Sequence, residues 1–246
     1  MSDALPPLPP VDPSRADDAA AATTMTPELL AGLLADGDDE LAAWALSTAL
    51  RERRRADVFD GLLRSAMALV GRRWQEGRWS IAEEHLATQT LTRALERIRA
   101  PQGPESRIGP LAVLAGVAGE HHGIGLICLD QVLREEGWTV ANLGADVPAA
   151  DLARFLARNQ AELVALTASL PDRVETLRES VAAALAVRPD DPLPVMVGGS
   201  LAGDATLMES LGVAWAGTSL ADAAAFAGQL LGQVAGRTPT GTPELP

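Results

Sequence analysis

The chain has 246 residues, with 20 Lys+Arg against 33 Asp+Glu and a formal net charge of −13, and every cation is Arg. The lack of Lys excludes Schiff-base chemistry and a Lys-terminated phosphate loop, and a single Cys, Cys128, excludes an internal disulfide and any multi-cysteine zinc or iron–sulfur site. A pI of about 4.6 disfavours nucleic acid, whose binders carry basic patches and a domain pI above about 9.

Residues 1–26 open with prolines at 6, 7, 9, 10 and 13 and scattered Asp, without the cationic start and apolar run of a signal peptide. They read as a disordered tail, as do residues 236–246. No stretch of about 18 apolar residues marks a membrane span, and a lone thiol fits a reduced, cytoplasmic location. Over residues 27–100 apolar positions recur every three or four residues, predicting a four-helix bundle with helices at 27–35, 38–54, 56–74 and 81–99. Arg51, Arg53, Arg54 and Arg55 read as a solvated helix face. Residues 100–105, with two Pro and one Gly, form a linker.

From 107 to 235 short apolar runs alternate with helical stretches. Strands are expected at 111–117, 139–143, 163–167, 194–197 and 213–216, with helices at 123–136, 149–158, 172–187, 202–210 and 220–234. This pattern predicts an α/β domain with a doubly wound, flavodoxin-like, five-stranded parallel sheet, in which ligands bind beyond the carboxyl ends of the strands.

The three histidines carry the chemistry. After the first strand the chain reads Gly119-Glu120-His121-His122-Gly123-Ile124-Gly125. An imidazole there can ligate a transition metal if its second nitrogen finds an acceptor, and Glu120, two residues upstream, can supply one. Gly125 lets a bulky group approach the backbone. The third histidine lies in Trp74-Gln75-Glu76-Gly77-Arg78-Trp79-Ser80-Ile81-Ala82-Glu83-Glu84-His85. Gly77 breaks one helix, and Ser80 with Glu83 forms a capping box that starts the next, folding Glu84 and His85 back beside Trp74. Spacing alone equally admits Trp74 and Trp79 as core packing and His85 as a surface residue.

Glu120-x-His122-x-x-Gly125 resembles the D/E-x-H-x-x-G signature of cobalamin-binding domains, with Glu in place of the commoner Asp. The resemblance implies that His122 replaces the cofactor's benzimidazole as lower cobalt ligand, with His121 a neighbour. Further elements follow in order: Leu143-Gly144-Ala145-Asp146-Val147-Pro148 after the second strand, Thr167-Ala168-Ser169 where the family has S-x-L, and Gly198-Gly199 after the fourth. Which hydroxyl of Thr167 and Ser169 meets the nucleotide loop stays open.

Trp74, nine residues, then Glu84-His85 resembles the W-x9-E-H motif of CarH-type cobalamin photoreceptors. The resemblance implies adenosylcobalamin as cofactor, with Trp74 packed against the adenosyl group, Glu84 contacting it and His85 an upper cobalt ligand after photolysis. The MerR-like DNA-binding domain of that family is not expected in an acidic tail of about 26 residues. The expectation is therefore a light sensor and not an enzyme, signalling through homo-oligomerisation or an unidentified protein partner, without direct nucleic acid or membrane binding. It is also similar to photocobilins, which hold a bilin as second chromophore, although no bilin pocket is legible in the sequence. The alternative is a corrinoid methyl carrier of a methyltransferase system, whose upper face must open to successive partners.

Overall fold

The computed structural model describes residues 25–99 and 109–235. The expected tails and linker lie outside these residues, save Met25 and Thr26 at the border of the first tail. The chain divides into two compact units, Met1–Gly103 with Ile127–Val132, and Pro104–Leu126 with Leu133–Pro246.

The first unit is helical. Helix α1 (Pro27–Ala35) has Pro at its start, where the missing N–H has no helical partner to lose, and Thr26 Oγ1 accepts from the Leu29 amide at 3.3 Å. Helix α2 (Asp39–Leu50) is capped by Asp38, whose carboxylate accepts from the Leu41 amide at 3.0 Å. It ends at Leu50 rather than at the expected 54, because residues 51–54 turn before α3 (Arg55–Val58). The third helical stretch then runs through a π turn, Phe59–Leu63, into α4 (Arg64–Gln75). Helix α5 (Ile81–Arg97) opens on a complete capping box between Ser80 and Glu83. Leu30, Leu34, Leu46, Phe59, Leu91 and Leu95 are buried to 1 % exposure or less and form the apolar interior.

One expectation for this unit is corrected. Arg51, Arg53 and Arg54 are exposed, but Arg55 is only 4 % exposed. Its Nη1 donates to Gln131 Oε1 at 2.7 Å, and its guanidinium lies 5.8 Å over the Phe59 ring. Gln131 in turn donates to the Leu95 carbonyl at 2.9 Å. A buried guanidinium is tolerable only with such partners, and the acceptor, Gln131, lies far away in sequence.

The second unit holds strands β1 (Leu111–Gly116), β2 (Thr139–Asn142), β3 (Leu163–Thr167), β4 (Val195–Gly198) and β5 (Trp215–Ala216), all parallel, in the order β2-β1-β3-β4-β5. Between them run α6 (Ile124–Glu135), α7 (Ala149–Asn159), α8 (Val174–Leu185) and α9 (Ala205–Leu211), with α10 (Leu220–Ala235) last. Every residue of β3 is buried, as a strand with both faces covered requires. The expected strand at 213–216 shortens to two residues at the sheet edge. Strand order reverses between β1 and β3, so the crevice beyond their carboxyl ends is where this topology admits a ligand. Among the described residues no helix is long and apolar enough to cross a membrane.

Removing the Ser80 side of the capping box should loosen the first turn of α5. Ser80→Ala is expected to cost about 1 kcal/mol, read as a lower urea midpoint.

Candidate functional site

Pairing across the sheet aligns Gly116 with Thr167 and Thr167 with Gly198, so two of the expected positions, Thr167 and Gly198, share one row with Gly116 at the carboxyl end. Beyond that row β1 continues into residues 117–123. Val117 makes a last parallel bridge to Val147, Gly119 turns at φ +79°, and Glu120 then dives inside with no exposed surface.

The Glu120 carboxylate collects three hydrogen bonds. Its Oε1 accepts from the His122 amide at 2.9 Å and from His122 Nδ1 at 2.5 Å, and its Oε2 accepts from the Ser169 amide at 2.5 Å. Burial alone would raise this carboxyl, but the His122 amide, the His122 ring and the Ser169 amide outweigh it and hold the group below the ordinary carboxylate range. An ionised carboxylate only accepts, so Nδ1 carries a proton, and in the neutral imidazole Nε2 is then the nitrogen with the free lone pair. The His122 side chain is 64 % exposed, which leaves that nitrogen accessible. His121 is exposed as well and has no part in this arrangement.

The turn after β2 braces the loop from the other side. Asp146, at φ +58°, donates its amide to the Glu120 carbonyl at 3.0 Å and accepts from the Gly119 amide at 2.7 Å. A left-handed non-glycine residue is costly, and these two bonds offset that cost. Gly116 donates to the Gly144 carbonyl at 2.8 Å, and a Cβ on Gly116 would stand 3.1 Å from Ala145 Cα.

The remaining expected residues separate by role. Thr167 is 9 % exposed, and Ser169 enters through its backbone amide, a contribution no side-chain motif could reveal. Gly199 has φ +86°, and a Cβ there would stand 2.4 Å from the Ala168 carbonyl oxygen, so the fold itself demands glycine. Gly198 and Gly125 are different. A Cβ on Gly198 would make ordinary contacts at 3.8 Å, and one on Gly125 would meet nothing within 4 Å. Their smallness serves no packing need within the protein.

Arg173, in the 3-10 turn Pro171–Arg173 before α8, was not foreseen. Its guanidinium lies against Gly119, where an added Cβ would come within 2.7 Å of Nη1 and 2.8 Å of Cζ. The glycine preceding the histidine motif was a visible signal; nothing in the sequence linked it to Arg173.

In the helical unit, Trp74 is 45 % exposed near the end of α4. Gly77, at φ +68°, stops that helix and donates to the Trp74 carbonyl at 2.9 Å. Arg73 lies 4.7 Å over the Trp79 ring, and Trp79 is only partly exposed. In the first turns of α5, His85 Nδ1 meets Glu84 Oε2 at 2.6 Å, while Glu84 Oε1 accepts from Thr88 Oγ1 at 3.0 Å. The His85 side chain is 69 % exposed. Cys128 is buried, and burial followed by the Asp60 carboxylate pushes its thiol up to about 12, so it packs and does not react.

Two outcomes follow from this geometry. Gly199→Ala is expected to cost about 2 to 4 kcal/mol through left-handed strain and overpacking, measured by urea unfolding. The depressed Glu120 carboxyl adds stability that is fully present above its ordinary value of 4.5 and is lost as pH falls through the lower folded value. The urea midpoint of the wild type should therefore lead that of Glu120→Gln at neutral pH and converge on it in acid; a gap that does not change with pH contradicts this.

Comparison with known proteins gives the site its chemical context. Residues 110–225 match the B12 binding domain family, and residues 28–99 match a second family of B12 binding domain. The HTH-type transcriptional repressor CarA of Myxococcus xanthus is 36 % identical over 125 residues, 50 % of this chain and 41 % of the repressor. CarH of the same organism is 32 % identical over 147 residues, 59 % of this chain and 48 % of the repressor. The chain thus spans less than half the length of these two relatives. Dimethylamine corrinoid protein 3 of Methanosarcina acetivorans is 24 % identical over 158 residues, 63 % of this chain and 74 % of that protein. The monomethylamine corrinoid protein of Methanosarcina barkeri shares the fold at a TM-score of 0.65 and 19 % identity, over 82 % of this chain and 96 % of that one. With a B12 binding domain matched in its helical segment and another over its sheet, this chain is a cobalamin-binding protein.

Proposed function

We propose that the chain is an adenosylcobalamin-dependent light sensor, and not itself an enzyme. The observation that carries this reading is the helical turn: an exposed Trp74 at the end of α4, followed by a His85 whose Nδ1 is held by Glu84 in the first turns of α5.

The residues of the sheet fit the cofactor. His122 presents Nε2 for cobalt, with Glu120 fixing the ring from the other nitrogen. Gly125 and Gly198 leave room beside the backbone that no protein atom uses closely. Thr167, Ser169 and Gly199 border the carboxyl edge where the nucleotide tail would be held. In the helical unit, Trp74 offers an aromatic face to an adenosyl group and Glu84 offers an acceptor. His85, with its Nδ1 occupied, keeps Nε2 for cobalt once the upper ligand has left. When bound, the cofactor supplies a cobalt–carbon bond that visible light breaks. Trp74 and Glu84 would hold the helices in one arrangement through their contacts with the adenosyl group, and a second copy of the chain or a protein partner would read the arrangement adopted without those contacts.

The corrinoid methyl carrier is the second reading, favoured by the likeness to corrinoid proteins. An exposed Trp74 and a carboxylate-held His85 on the helical unit are features that a carrier, which must open to successive partners, does not need.

Protein loaded with adenosylcobalamin in darkness should change both its visible spectrum and its hydrodynamic size, or its affinity for a partner, on green illumination. Complete photolysis with no change in size or partner affinity contradicts the sensor and favours the carrier. His85→Ala should bind in the dark as the wild type does, while its illuminated product lacks the spectrum of cobalt held by two histidines.

A further inference from the structure

Two arginines of the sheet unit, Arg173 and Arg188, have a buried Nε without a hydrogen-bond partner, but Arg188 is held through its other nitrogens by Glu162 at 3.2 and 3.4 Å, whereas Arg173 lacks such an anchor. The Arg173 side chain is 25 % exposed, and among the described residues its one ionic contact is Nη2 to Asp172 Oδ2 at 3.2 Å, a carboxylate that is itself 65 % exposed. A pair so open to solvent contributes little. Its Nε is buried and has no hydrogen-bond partner. A buried guanidinium donor without an acceptor costs free energy, and such orphans are rare enough to need a reason.

Its position supplies one. Arg173 follows β3 by a short turn and rests on the Cα of Gly119, one residue before Glu120 and three before His122. Gly119 is held there by the hydrogen bond its amide donates to Asp146 Oδ1, and any side chain at 119 would displace the guanidinium. The group is therefore fixed at the carboxyl edge of β1 and β3, at the strand-order switch where this fold admits ligands. The sheet unit is otherwise acidic: from residue 101 onward the sequence has 8 Arg against 17 acidic residues, a field that repels anions.

We propose that Arg173 is a cofactor-binding residue whose guanidinium takes the phosphodiester of the cobalamin nucleotide loop. The corrin side chains of cobalamin are neutral amides, and the phosphodiester is its anionic group. A planar guanidinium with an unused donor is the side chain best matched to it. The inference rests on cobalamin binding, not on light sensing.

The test compares two ligands in darkness by absorbance titration: hydroxocobalamin, and aquocobinamide, which lacks the nucleotide loop and its phosphate. Arg173→Met keeps an unbranched chain over Gly119 and removes the charge. It should weaken cobalamin binding about tenfold to a hundredfold and leave cobinamide binding unchanged. Arg173→Lys, which keeps the charge and loses the fork, should fall between the wild type and the Met variant, and carries the same comparison if the Met variant does not fold. Equal losses for both ligands would make Arg173 a brace of the Gly119 loop and overturn the proposal, as would no loss for either. A wild-type chain that binds neither ligand overturns the cobalamin reading itself, which is a separate failure.

Discussion

A buried carboxylate with three donors holds the lower site together. Glu120 ties the loop after β1 to the loop after β3 through the Ser169 amide, and ties its own loop to the His122 ring. Each bond would be weak in water, yet inside the protein an ionised, fully hydrogen-bonded carboxylate is fixed in both charge and direction. The consequence reaches the metal chemistry directly. With Nδ1 protonated toward Glu120, His122 can present only Nε2, and it presents it from a loop pinned on its far side by Asp146.

The helical unit uses the same device in a looser form. Glu84 engages Nδ1 of His85, again leaving Nε2, but here both side chains are far more open to solvent than Glu120. A permanent ligand calls for the buried, three-donor arrangement, and a conditional one calls for a carboxylate that can give way. That difference in burial lies between the two carboxylates, since the histidines themselves are similarly exposed, and it is what the sensor reading requires.

Most of the architecture was legible because it rests on apolar periodicity. The short buried runs of β1 and β3, the glycine stop at Gly77 and the Ser80–Glu83 box all appear in the fold as local sequence dictates. Failures came where distant partners decide. Arg55 lies in a run of arginines, and although Phe59 is four residues on, nothing local signals that the distant Gln131 will accept from it in the interior. The Phe59–Leu63 π turn interrupts a helix whose apolar spacing continues across it. In the site, Glu120 and His122 were readable as a pair because they are two residues apart. The Ser169 contribution was not, because a backbone amide leaves no mark in the sequence. Arg173 was hidden for the same reason as Arg55: its position depends on a glycine in another loop.

Cobalt ligation by His122 is tested most directly by electron paramagnetic resonance of the cobalt(II) form of the loaded protein, prepared with and without 15N-histidine. If His122 holds cobalt through Nε2, the nitrogen splitting changes its multiplicity on labelling, and His122→Ala abolishes that response. A splitting indifferent to histidine labelling would mean that the cofactor keeps its own benzimidazole as lower ligand, and would contradict the role assigned to Glu120 and His122.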